Sequence, residues 1–361
     1  VGVSVVAVFA VTAVGFVVRF TPGSEPQTSE PSGRQGILIY SIQESFGWAK
    51  VEVLELASGT VIDGPEVFHP VAFVISAEEG SIGAVTRFEG RLQASLVDLL
   101  SSARSGRDPM ASGEFVAWSV DGRSVFSAVT RGTGRCRRVR LRETGFGRSF
   151  TIPRVCGTLE GLSVDRGSNV YLTVHDDRRR DGLGWFIWLV RTEGGGFMRE
   201  ALADHRLLAA SPSGELAVVP MRNRQAVSSN ESSQILMFSD LRELRPLPAG
   251  TPSARMIPER VLGWTPNEGD AYVLGTYAGT RGVFLVPSRG EPGELLPELV
   301  FETPATEVAM TQTLDGTAFF SAGGLILVYE GGVLSTLDLP DETPRPAGPM
   351  LWLPALPYSG V

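Results

Sequence analysis

A glycine followed by a short apolar segment recurs along most of this chain, and that rhythm narrows the folds open to it. Gly36 precedes Ile37-Leu38-Ile39-Tyr40-Ser41, and Gly122 precedes Arg123-Ser124-Val125-Phe126-Ser127. Gly80, Gly167, Gly214, Gly269 and Gly316 lead into similar segments. The spacing averages about 47 residues, within the range of a propeller or another repeat array. Most phases also carry an apolar segment before the turn. The clearest is Phe115-Val116-Ala117-Trp118, which with Asp121-Gly122 and the segment after it reads as a tight β-hairpin. Gly36 is the exception, because a Pro/Ser-rich stretch precedes it. Trp352 near the other end stands in the phase of Trp118 and Trp264, so residues 349–354 are expected to supply the missing strand. Closing the ring in this way removes exposed sheet edges.

Trp118-Ser119-Val120-Asp121-Gly122, Ala210-Ser211-Pro212-Ser213-Gly214 and Trp264-Thr265-Pro266-Asn267-Glu268-Gly269 resemble the Trp-Ser-Pro-Asp-Gly repeat of TolB-type, WD40-like β-propellers. The resemblance covers residues 36–356 and implies an all-β propeller. Seven four-stranded blades fit the spacing best, with six or eight as the neighbouring counts. The repeat is a structural turn, so the resemblance carries no activity. The in-phase aromatics Trp118, Trp264, Trp352, Tyr171, Tyr272, Phe126 and Phe319 are expected to pack between blades.

Residues 1–18 carry no charge. As a helix rising 1.5 Å per residue, a run of this length just spans the hydrocarbon core. Residues 1–19 therefore read as one transmembrane helix or signal anchor, with a cleaved signal peptide as the rival. Residues 20–35 are rich in Pro and Ser and poor in bulky apolar side chains, as in a disordered tether. The net charge of −8 argues against a general nucleic-acid-binding surface.

Cys136 and Cys156 lie symmetrically about Phe146, in Thr144-Gly145-Phe146-Gly147, a hairpin turn. Antiparallel pairing of the flanking segments would set the two sulfurs opposite each other, as a disulfide needs. Two buried thiols are the alternative. A disulfide would place the domain in an oxidising space. Arg19, just after the apolar run, votes for the cytoplasmic side. The cysteines and the family resemblance outweigh it, and the expected location is the cell membrane, single-pass, with the propeller extracytoplasmic.

Propeller topology places the Asp-Gly turns on one face. The connections between second and third strands, and those between blades, fall on the other. Two second-to-third connections, 175–182 and 222–232, are long, polar and in adjacent blades. Loops on a rigid scaffold are the usual seat of binding. The candidate partner-binding residues are His175, Asp176, Asp177, Arg178, Arg179, Arg222, Asn223, Arg224 and Asn230. Arg138, Arg140 and Arg142 share one side of a strand. They read as a solvated face balanced by nearby carboxylates, or less readily as a polyanion contact.

No catalytic set emerges. The three histidines, His69, His175 and His205, fall on the loop face without metal-ligand spacing, and no Gly-x-Ser-x-Gly elbow occurs. No metal and no cofactor is expected. The leading expectation is a membrane-anchored, non-enzymatic propeller that binds a protein or envelope ligand and no nucleic acid. Its rivals are the outer sensor half of a kinase- or anti-sigma-type signalling protein, and a propeller hydrolase such as a lactonase with Glu114 or Glu160 at the channel.

Overall fold

Residues 27–28, 35–43, 47–77, 81–99, 101, 109–134, 136–176, 184–192, 197–203, 205–220, 235–240, 253–288, 296–339 and 345–354 are described in the computed structural model of the protein. The apolar run 1–18 lies outside them, as does most of the tether. Among the described residues no helix is long and apolar enough to cross a membrane.

The alternation of apolar and polar residues along short segments makes strands, and among the described residues these fall into seven sheets. The first blade holds Met350–Leu353, Ile37–Gln43, Trp48–Glu55 and Thr60–Phe68. The second holds Pro70–Ile75, Ser81–Phe88, Arg91–Asp98 and Ala111–Gly113. Phe115–Trp118, Val125–Arg131, Cys136–Glu143 and Ser149–Cys156 make the third. The fourth is Thr158–Val164, Asn169–His175, Trp185–Arg191 and Phe197–Ala203. The fifth is His205–Ala210, Glu215–Pro220, Ile235–Asp240 and Ser253–Arg255. The sixth is Ile257–Trp264, Asp270–Tyr277, Thr280–Pro287 and Glu298–Glu302. Val308–Gln312, Ala318–Ala322, Leu325–Glu330 and Val333–Thr336 make the seventh. Within each blade the strands run antiparallel. Gln27–Thr28 adds a parallel strand to the outer edge of the seventh blade. That is more order than a Pro/Ser-rich tether suggests, and it occupies backbone groups that an edge strand leaves open.

The core lies between blades. Because side chains alternate across a strand, each middle strand feeds two neighbours. Leu216 and Val218 pack with Tyr171, Ile187 and Leu189 of the fourth blade, whereas Ala217 packs toward the sixth. Val51 and Val53 face Phe73 and Ile82 of the second blade, and Leu54 faces Phe319 and Val328 of the seventh. The in-phase aromatics serve this packing: Trp118, Trp264, Tyr171, Tyr272, Phe126 and Phe319 are all buried. The ring shuts where Ile37, Leu38, Ile39 and Tyr40 pair with Leu353, Trp352, Leu351 and Met350.

The turn between first and second strands repeats one device. Its opening residue is Ser119, Asp165, Ser211, Thr265 or Thr313. In each case that residue's side-chain oxygen accepts a backbone N–H from the start of the next strand, at 2.9–3.1 Å. Three residues on, the backbone is left-handed, at Gly122, Ser168, Gly214, Glu268 and Gly316. Gly167 and Gly269 therefore sit one residue away from the position their phase suggested. Side chains rarely adopt this conformation, and at Glu268 the side chain is itself bonded. Its carboxylate accepts the Ser213 N–H at 2.7 Å and lies 3.8 Å from the Arg166 guanidinium. Further bonds join the turns of neighbouring blades, Arg166 N–H to Pro212 O at 2.7 Å and Ala77 N–H to Gly122 O at 3.3 Å. Bonds of this kind tie neighbouring blades together on the turn face.

Two of these turns should add to the acid sensitivity of the fold. Ser119 donates its hydroxyl to Asp121, and Thr313 donates to Asp315. These bonds hold both carboxyls below the usual carboxylate range. A depressed folded pKa contributes stability above the unfolded value and loses it as pH falls through the folded one. Urea midpoints should therefore drop below about pH 4. The D121N/D315N variant should lose less of its midpoint between pH 6 and pH 3 than the parent; an identical loss would contradict this origin.

Candidate functional site

The loop face has the opposite character. In the fourth blade the second strand ends at His175 and the third begins at Trp185, and the two residues are cross-strand partners. Their rings stack with centroids 4.4 Å apart and planes 20° from parallel. The loop between them is pinched at its base, where the Asp176 N–H donates to Gly184 O at 2.7 Å. A Cβ at Gly184 would stand 2.1 Å from Asp176 O, so only glycine fits. Gly157 is held likewise, since a Cβ there would meet His175 O at 2.3 Å. The base of the 177–183 loop is therefore fixed by backbone contacts on both sides.

The neighbouring blade completes the platform. Arg206, in the first strand of the fifth blade, places its guanidinium carbon 5.9 Å from the centre of the Trp185 ring. A cation over an indole face is favourable, by roughly 0.5–1 kcal/mol where exposed. His175, Trp185 and His205 are half-buried and Arg206 is exposed. The result is a histidine, an indole and a guanidinium across the junction of the fourth and fifth blades. The strands Glu215–Pro220 and Ile235–Asp240 carry the 221–234 connection from the same face.

Of the candidate binding residues, His175 and Asp176 stand at this platform. Asp177, Arg178, Arg179, Arg222, Asn223, Arg224 and Asn230 lie outside the described residues. Trp185 and Arg206 escaped the sequence reading. The available signal was position: Trp185 directly follows the polar loop, and Arg206 adjoins His205.

A second aromatic group lies on this face in the first and second blades. The Phe68 ring packs edge-on against Trp48 at 5.2 Å, His69 at 4.5 Å and Phe88 at 5.8 Å. His69 is thus engaged with aromatic rings, and its ring also lies over Gly47, where a Cβ would come within 2.1 Å of Nε2. Among the described residues no three of His, Cys, Asp and Glu come together as a metal site. Ser211 and Ser213 bond to each other at 3.0 Å within the fifth-blade turn, which leaves them structural. Glu114 accepts the N–H and hydroxyl of Thr130, and Glu160 is exposed.

The two cysteines are directly paired across the third and outer strands of the third blade and form a disulfide, with Cα atoms 4.0 Å apart. The 144–147 hairpin joins these strands, and the Arg148 guanidinium lies 5.1 Å over the exposed Phe146 ring.

No protein-family model and no curated protein matches the chain. Solved structures do. The β-propeller domain of the Trilobed protease from Pyrococcus furiosus, described as having an open velcro topology, superposes with a TM-score of 0.52 at 12% identity. That match covers 88% of this chain and 98% of the domain. AztD from Citrobacter koseri gives 0.50 at 11% identity, over 89% of this chain and 98% of its own. The acylaminoacyl peptidase of Pyrococcus horikoshii gives 0.51 at 13% identity over 87% of this chain. This chain spans about half of that peptidase, 52% of its length. At these identities the likeness concerns architecture alone, and with the seven sheets it makes the chain an all-β propeller.

Proposed function

We propose that the chain is a membrane-anchored, extracytoplasmic propeller that captures a protein or envelope ligand at the loop face of the fourth and fifth blades, without catalysing a reaction. The observation that carries this reading is the His175–Trp185–Arg206 platform at the root of two polar connections. An aromatic ring flanked by a cation and an imidazole offers the mix that anchors binding interfaces, where Trp and Arg dominate the energetics. The uncharged residues 1–18 and the short polar stretch 20–26 ahead of the Gln27–Thr28 strand support a tethered arrangement, in which the domain stays near the bilayer. The disulfide favours an oxidising compartment.

The test pairs W185A/R206A with replacement of residues 177–182 and 222–232 by Gly/Ser segments of equal length. Crosslinking is then carried out in intact envelopes. Partner capture should fall at least tenfold while the melting profile stays within a few degrees of the parent. Undiminished capture by both variants would remove this face as the binding site. Location is tested separately by a C-terminal reporter enzyme that folds only after export. An inactive reporter would place the propeller in the cytoplasm.

A further inference from the structure

The third blade carries a row of arginines that form no ion pair among the described residues. Arg138, Arg140 and Arg142 alternate with Val139 and Leu141 in the third strand. Val139 and Leu141 are fully buried against the fourth blade with Ile152, Val155 and Leu172. The arginines consequently face the other way, and all three are exposed. Arg131 of the second strand is the cross-strand partner of Arg138, Thr151 of the outer strand that of Arg140, and Ser149 that of Arg142. Four guanidinium groups and two hydroxyls thus share one side of three strands.

Among the described residues the neighbouring blade covers that side only in part. The outer strand of the second blade is only Ala111–Gly113, three residues, against eight in each of Cys136–Glu143 and Ser149–Cys156. A cavity of about 570 Å³ results, lined by Arg131, Thr133, Arg138, Arg140, Ser149 and Thr151, with Cys136 at its edge. A smaller one of about 140 Å³ continues it past Arg142 to Ser112 and Ser127 and shares Arg131 and Arg140. The expected balancing carboxylates are missing: among the described residues none forms an ion pair with Arg131, Arg138, Arg140 or Arg142. Among the described residues, Arg140 Nε donates to Ser149 Oγ at 3.1 Å. That bond fixes the plane of the guanidinium and leaves its terminal N–H groups directed elsewhere. Like charges directly across a strand pair repel, so the arrangement favours an occupant that supplies negative charge.

We propose that this trough binds phosphate or sulfate groups carried on a chain without aromatic rings, such as a phosphorylated or sulfated polysaccharide or polyol. Guanidinium groups pair bidentately with such oxyanions, and hydroxyls on the trough wall supply additional donors. Alternate residues of a strand lie about 7 Å apart, which suits a ligand whose charges repeat along a chain. Nucleic acid is the less suitable polyanion, because single strands are held by bases stacked on aromatic side chains and among the described residues no aromatic side chain lines either cavity. The site lies on the flank of the third blade, apart from the loop-face platform, and stands whether or not that platform binds a partner.

The experiment titrates the whole protein at low salt with three probes matched in charge, namely inorganic polyphosphate, dextran sulfate and oligothymidylate. R138A/R140A and a control, R87A/R91A in the second blade, are titrated alongside. Polyphosphate or dextran sulfate should bind the parent and the control alike, raise the melting temperature, and weaken as salt increases. R138A/R140A should bind at least tenfold more weakly at an unchanged melting temperature without ligand. Preference between the two probes identifies a phosphate or a sulfate carrier. Equal binding by parent and R138A/R140A, no binding of either probe by the parent, or oligothymidylate binding as tightly as both would each overturn the proposal.

Discussion

A chain ending at Pro349 should lose most of its cooperative folding, even though of the described strands it lacks just Met350–Leu353. Met350, Leu351 and Leu353 are each less than a tenth exposed. At roughly 1.5–3 kcal/mol per buried side chain, their loss amounts to about 5–9 kcal/mol, against a typical total stability of about 5–15 kcal/mol. The polar loss adds to it. The Trp352 N–H donates to Thr311 Oγ1 in the seventh blade at 2.8 Å, and residues 350–353 pair along Ile37–Tyr40 of the first. The closing strand therefore ties two blades at once, and without it the edge of Ile37–Gln43 is open to other chains. Chemical denaturation and light scattering check this, and a synthetic peptide of residues 345–354 should restore stability in trans. Should the truncated chain prove too poorly behaved to measure, L351A in the full chain should cost about 2–5 kcal/mol by cavity formation. A truncated chain as stable as the parent would show that the ring does not depend on this strand.

Removing the disulfide should be the next most damaging change. Cys136 and Cys156 are separated by 20 residues. Cross-linking a loop of that size stabilises by about 3 kcal/mol, chiefly by restricting the unfolded chain. The bond also clasps the strand ends that frame the arginine trough, beside a register shift between Arg137 and Val139. The C136S/C156S variant should therefore show a lower urea midpoint than the oxidised parent, and reductant should lower the parent to the same value. A parent whose midpoint is indifferent to reductant would indicate that the pair contributes nothing to stability.

Much of this was written in the sequence, for identifiable reasons. Trp118 and Trp264, like Phe126 and Phe319, recur in phase because equivalent positions of different blades face the same kind of junction, so periodicity alone assigned them to packing. The symmetric placement of Cys136 and Cys156 about Phe146 gave their pairing, because antiparallel register is set by the turn. Glycine counting was less exact. The left-handed position of the turn is occupied by Ser168 in the fourth blade and Glu268 in the sixth, and the adjacent glycine marks the phase one residue off. A side chain that forms its own bonds, as Glu268 does to Ser213 and Arg166, can hold a conformation normally left to glycine. Such a bond between blades has no linear signature.

The candidate sites were legible only in part. Strand alternation put Arg138, Arg140 and Arg142 on one side. That they form no ion pair among the described residues, beside the short strand Ala111–Gly113 of the next blade, is announced by no pattern near the arginines. Likewise His175 was visible as the end of a strand, but its stacking on Trp185 and the approach of Arg206 follow from cross-strand register and the packing of two blades. Long-range contacts of this kind determine what a propeller face presents.

The account rests on a ring of sheets shut by the pairing of residues 350–353 with 37–40, and amide hydrogen exchange of the intact protein tests that pairing most directly. The hydrogen-bonded amides of Met350–Leu353 should be protected to a degree comparable with those of a central strand such as Asn169–His175. Exchange of Met350–Leu353 at the rate of an unstructured peptide, with Asn169–His175 still protected, would contradict a closed ring.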